Sequence, residues 1–152
     1  MTAATAAALL RGERPTDVEV AADYPTEFSL GVAAERGAAN AIGPFVIRAE
    51  PGPLVVGEIG GAFTSEGVVE IGYAVVRSVE GRGVATAAVR ALAQRLSARA
   101  DVRRVVAHTP LDRPASGRVL EKAGFLLVGE LDDTHEGAPV RVRAWALDVA
   151  PA

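Results

Sequence analysis

The chain has 152 residues, 49% hydrophobic and 23% charged, and a net charge of −3 from 19 acidic and 16 basic side chains. That size and balance predict one soluble globular domain over residues 1–152 with a sizeable core, and the slight acidity argues against nucleic acid as the main partner. The absence of cysteine excludes disulfides, a thiolate nucleophile and thiolate-bound zinc, and His108 and His135 are too far apart in sequence to suggest a metal site.

Residues 1–10 are alanine-rich but lack the basic start and cleavage pattern of a signal peptide. No apolar run approaches the roughly 20 residues of a membrane span, so a cytoplasmic location is expected, without membrane partners. Residues 1–15 read as either a helix or a flexible extension. Apolar residues scattered around Pro25 predict one or two short helices between 17 and 37. A strand over 44–49, turn chemistry at 50–53 and a return strand over 54–63 predict an antiparallel hairpin. A third strand, 68–76, continues the meander. On it Glu70 shares a face with Val68, Gly72, Ala74 and Val76. A carboxylate among small apolar neighbours suits a general base, although an ordinary solvated acid or ion pair fits the same position.

Gly81-Arg82-Gly83 follows that strand and opens an alanine-rich helix in which Val84, Ala88, Leu92 and Leu96 recur every four residues. Two glycines let backbone N–H groups approach a ligand without interference from Cβ atoms. The helix directs its positive end at the same place, which favours a phosphate or pyrophosphate. An ordinary tight turn is the competing reading. Strand 105–109 then implies a parallel crossover, with His108 near its end as a catalytic or merely hydrogen-bonded residue. Pro114 suits the first turn of a helix whose buried stripe reads Ala115, Val119, Ala123, and Gly124 stops it. Strand 125–131, a polar loop over 132–139 and an alternating strand 140–149 close the chain as an antiparallel hairpin. The expected fold class is α/β (α+β): a mixed, mostly antiparallel twisted sheet with a central parallel crossover and flanking helices.

The window Glu80-Gly81-Arg82-Gly83-Val84-Ala85, together with Ala115-Ser116 and Glu121-Lys122-Ala123-Gly124-Phe125 downstream, resembles the GCN5-related N-acetyltransferase (GNAT) superfamily. Glu70-Ile71-Gly72-Tyr73 is similar to the branch that includes ribosomal-protein alanine acetyltransferases. The resemblance covers about residues 45–147. It implies transfer of an acetyl group from acetyl-CoA to a primary amine of a small molecule or protein N-terminus, with no metal. It further implies cofactor contacts from Val75, Val76, Gly81, Arg82, Gly83, Val84, Ala85, Thr86, Arg113 and Ser116. The Val76 N–H would polarise the thioester carbonyl, Glu70 would act as base, and Ser116 would be a substitute proton donor. Three positions depart from the family pattern. Glu80 replaces Arg or Gln, Arg113 replaces Asn, and Leu120 stands where many relatives carry an acidic tyrosine. The same fold kept as a weakly active acyl-CoA sensor is the alternative. The turn lacks the third glycine of a dinucleotide fingerprint, and no Gly-Lys-Ser/Thr is present. Monomer and homodimer both fit, the alternating last strand offering an edge for a second copy.

Overall fold

The computed structural model describes residues 1–49, 52–135 and 137–149; the expected turn at 50–53 falls partly outside them. The first helix, α1 (Ala3–Leu10), begins at Thr2, whose hydroxyl accepts the Thr5 N–H at 3.0 Å. Of the two readings of the N-terminus, the helix is what forms. Thr5 donates to Asp17 at 2.6 Å, the Met1 ammonium donates to the Pro44 carbonyl at 2.9 Å, and Leu9 is buried. The second helix, α2 (Glu27–Glu35), starts in a reciprocal capping arrangement between Thr26 and Ser29, so residues 17–37 hold one helix.

Strands β1 (Ala41–Arg48), β2 (Val55–Ser65), β3 (Val68–Val75), β4 (Arg104–Pro110), β5 (Leu126–His135) and β6 (Ala138–Asp148) form one sheet in the order β1-β2-β3-β4-β6-β5. Four pairings are antiparallel and β3–β4 is parallel. Helix α3 (Val84–Ser97) makes the crossover between β3 and β4, and α4 (Pro114–Lys122) connects β4 to β5. The sheet is therefore the mixed, mostly antiparallel one expected. Phe28 of α2 lies where a Cβ on Gly72 would stand, 2.9 Å away. Helices α3 and α4 pack on the opposite face, with Val89, Leu92 and Leu96 of α3 buried.

Two expectations are corrected. The buried positions of α4 are Gly117 and Leu120, while Ala115 is exposed and Val119 half-buried. The reason is Trp145: a Cβ on Gly117 would stand 2.8 Å from its ring, so the helix rests on its glycine there. The 132–139 loop is mostly ladder, with Asp132 opposite Arg141 and Asp133 opposite Val140. Aspartate is a poor strand former, but the Asp132–Arg141 ion pair at 3.1 Å holds the extended register.

Glu58 on β2 is fully buried beneath α2. Ser29 Oγ donates to its Oε2 at 2.6 Å, and the Tyr24 hydroxyl is buried beside the carboxyl. Desolvation raises this carboxyl above its ordinary 4.5, against smaller lowering by Ser29 and Tyr24. The folded chain then binds this proton more tightly than the unfolded chain. Its stabilising effect is complete below the unfolded value and is lost as pH rises through the elevated one. As pH rises from about 4 through that elevated value, the wild type should lose melting temperature relative to Glu58→Gln. A constant difference in thermal melts across that range would contradict the assignment.

Candidate active site

The parallel ladder between β3 and β4 runs from Val68↔Arg104 to Ile71↔Ala107 and stops. Both strands go on, β3 paired to β2 as far as Val75 and β4 paired to β6 as far as Pro110. Each keeps its outer partner while the two diverge, so a gap opens through the sheet. The direction of the peptide groups along β3 follows from one bond: the Val76 N–H donates to the Val56 carbonyl at 2.7 Å. Alternation along an antiparallel pair then directs residues 70, 72 and 74 toward β2 and leaves the peptide groups of Tyr73 and Val75 facing the gap. Consistently, the carbonyls of Glu70 and Ala74 press on Gly61 and Gly57 of β2. The Val76 amide is thus engaged and its side chain buried. It is not the free donor expected from the sequence; the amides of Tyr73 and Val75 hold that position.

A 3₁₀ turn, Arg77–Val79, leads to the glycines. Gly81 has φ +80° and Gly83 φ +77°, a left-handed backbone that glycine adopts without penalty, and a Cβ at either would meet only open space. Gly83 caps α3 without a side-chain contact, and Ala87 N–H to Gly83 C=O, at 3.0 Å, opens the helical ladder. Among the described residues no acceptor meets the N–H groups of Gly81, Arg82, Gly83, Val84, Ala85 or Thr86. Gly81, Arg82 and Gly83 are exposed, Val84 and Ala85 half-buried, and only the Thr86 residue is buried. Outward-facing amides at the positive end of a 14-residue helix make a cradle for an anion. A groove of about 520 Å³ borders the turn at Arg82 and Gly83 and runs between α3 and β1, on the side of α3 away from the β3–β4 gap.

Ser116 and Tyr73 meet across the α4 side of the gap, where the Tyr73 hydroxyl donates to the Ser116 carbonyl at 2.9 Å. Burial pushes the Tyr73 phenol well above its usual value, so it stays protonated. Arg113, the N-cap of α4, is exposed, and Leu120 is completely buried in the core.

Glu70 lies on the other face, toward α2, so the sheet separates it from Ser116 and the gap connects the two sides. It is half-exposed rather than enclosed by the small residues beside it. His108 Nδ1 is 3.0 Å from Glu70 Oε1 and 3.0 Å from Asp133 Oδ2. The Thr134 N–H and then His108 hold the Asp133 carboxyl below its usual range. Sequence reasoning missed Asp133. It placed residue 133 in a loop, and only the long β5–β6 ladder brings it to His108; its one local signal is the Asp132-Asp133 pair.

This strand–glycine turn–helix beside a split parallel pair defines an acyl-transferase architecture, and the comparisons agree. The family model described as an acetyltransferase (GNAT) domain matches residues 3–126, and the chain belongs to that family. A GNAT-family acetyltransferase from Bacillus anthracis superposes with a TM-score of 0.67 at 19% identity, over 83% of this chain and 76% of that one. RimL, a ribosomal L7/L12 alpha-N-protein acetyltransferase solved with coenzyme A, gives 0.66 at 21% identity, over 80% and 70%. The microcin C7 self-immunity acetyltransferase MccE, solved with acetyl-CoA and AMP, gives 0.64 at 18%, over 80% and 68%. No curated protein sequence matches the chain. The chain is an acyltransferase of the GNAT type. No helix among the described residues is long and apolar enough to cross a membrane.

Proposed function

We propose that residues 1–152 act as one cytoplasmic domain that moves the acetyl group of acetyl-CoA to a primary amine of a small molecule or protein N-terminus by direct attack. The observation that carries this reading is the row of unpaired amides over residues 81–86 at the start of α3. Those amides, with Arg82 alongside, bind the diphosphate. The gap-facing peptide groups of Tyr73 and Val75 pair with the pantetheine arm as a short added strand. An N–H of one of them donates to the thioester oxygen as negative charge builds there. Arg113 and Ser116 flank the arm from α4.

On the α2 side, Glu70 accepts a proton from the incoming ammonium, directly or through one water, so that the neutral nitrogen attacks. The N–C bond forms, the C–S bond breaks, the nitrogen gives up its second proton to solvent, and the departing sulfur takes one. Leu120 cannot give it. The Ser116 hydroxyl is the candidate donor, and the Tyr73 phenol, bonded to the Ser116 carbonyl, is the second. The acceptor approaches a face carrying Glu70 and Asp133, neither of which has an Arg or Lys partner within 4.0 Å among the described residues. A positively charged amine is therefore the favoured substrate class.

The fully buried Leu120 favours one second reading, a sensor that holds acyl-CoA without turning it over. Release of free CoA from acetyl-CoA with a panel of primary amines separates the two. The enzyme reading expects amine-dependent release by wild type at least about tenfold above the amine-free rate, since one positioned base contributes about 10²–10⁴-fold. Binding of acetyl-CoA with no amine-dependent release would establish the sensor.

A further inference from the structure

We propose that Glu70, His108 and Asp133 form a binding site for a divalent transition-metal ion, with zinc as the reference metal. Their ligating atoms all lie within 4.8 Å of one another. The arrangement is not explained by hydrogen bonding alone. A single ring nitrogen, His108 Nδ1, sits 3.0 Å from a carboxylate oxygen on each side. It carries at most one proton. The contact to Asp133 has hydrogen-bond geometry; the contact to Glu70 is an approach of charges only. Two anionic oxygens and one nitrogen lone pair therefore converge on a point that one proton does not satisfy.

A metal ion satisfies it. Zinc bonds to nitrogen and oxygen of about 2.0–2.2 Å at tetrahedral angles separate neighbouring ligand atoms by roughly 3.4 Å. The two nitrogen–oxygen spacings of 3.0 Å fall a few tenths of an ångström short of that, and all three ligand atoms lie within 4.8 Å of one another. Two carboxylates and a neutral imidazole balance a double positive charge, and the mixed nitrogen and oxygen set suits zinc or its first-row neighbours better than magnesium. The nearby cations are engaged elsewhere: Arg141 pairs with Asp132 at 3.1 Å, and Arg143 lies 4.0 Å from Glu130. The three ligands come from β3, β4 and β5, and side-chain exposures of 39%, 25% and 44% leave the outer coordination position open to water or an amine. A bound ion takes the Glu70 oxygen out of use as a base. Zinc should therefore inhibit acetyl transfer reversibly and compete with the amine rather than with acetyl-CoA. That consequence rests on the proposed function; the binding does not.

The test is calorimetric titration of untagged, chelator-stripped protein with zinc chloride, with the visible absorption of the cobalt(II) form as a second readout. One ion should bind per chain, with the spectrum of a low-coordinate site. Asp133→Asn and His108→Ala should each weaken binding at least about tenfold, since even outer-sphere partners of a metal are worth about 10–100-fold. Asp148→Asn, whose carboxylate pairs with Arg104 at 2.7 Å, should leave it unchanged. No binding at about 1 mM zinc, or binding that survives both Asp133→Asn and His108→Ala, would overturn the site; so would loss of binding in Asp148→Asn. Asp133→Asn changes few atoms of a half-exposed side chain, so the test does not depend on the histidine variant folding. Absence of acetyl transfer would leave the isotherm untouched, so failure of the functional reading is distinguishable from failure of the metal site.

Discussion

Gly83→Val should abolish the rise in melting temperature that acetyl-CoA gives the wild-type chain. The glycine has φ +77° and open space where a side chain would begin, so a β-carbon there meets nothing beyond its chain neighbours. Its cost to the fold is that of a branched residue in left-handed backbone, about 1–3 kcal/mol, and the chain should remain folded. Its cost to the ligand is larger. The branched side chain would stand over the amides at the start of α3 and keep a diphosphate from hydrogen-bonding distance. A ligand at about 100 times its Kd stabilises by about 2.7 kcal/mol, or about 5–10 °C for a chain of this size. Scanning fluorimetry should show that shift in wild type and less than about 1 °C in the variant, with the circular dichroism unchanged. An equal shift in both proteins would mean that the turn does not hold the diphosphate.

Glu70→Gln should lower kcat/KM for CoA release by about 10²–10⁴-fold, the usual worth of a positioned general base. The amide has nearly the same shape and can still contact His108, but it cannot take a proton. Glu70 faces α2, whereas the free amides stand at the start of α3 on the other side of the sheet. The variant should therefore keep the full acetyl-CoA shift in melting temperature, so that catalysis is lost and binding is not. Activity within about threefold of wild type would show that the ammonium proton leaves by another route, because a base contributes at least about a hundredfold.

Local features were legible in the sequence. The glycines at 81 and 83 announced the turn because left-handed backbone has few other tenants, and the apolar spacing after them announced α3. β-rich runs bounded by turn residues located β2 and β3, alternation located β6, and Pro114 marked the start of α4. What local pattern could not give was the direction of each face and the long-range pairing. The buried positions of α4 were misread because Trp145, 28 residues after Gly117 in sequence, decides which side of that helix faces inward. The Val76 amide looked free because nothing in strand spelling says which peptide groups face which neighbour, and the bond to Val56 settles it. Asp133 was invisible as a partner of His108 because their contact joins residues 25 apart. Glu58 also escaped notice: a carboxylate in a strand of valine, glycine and isoleucine becomes exceptional only when α2 covers it.

The most direct measurement is a set of ¹H–¹⁵N amide spectra of the assigned chain recorded while acetyl-CoA is added. The account predicts that the amides of residues 81–86 shift together with those of Tyr73 and Val75, while Val76, bonded to Val56, and the outer strand β5 stay near their free positions. Saturating changes confined to other parts of the chain, or no change at about 1 mM ligand, would contradict it.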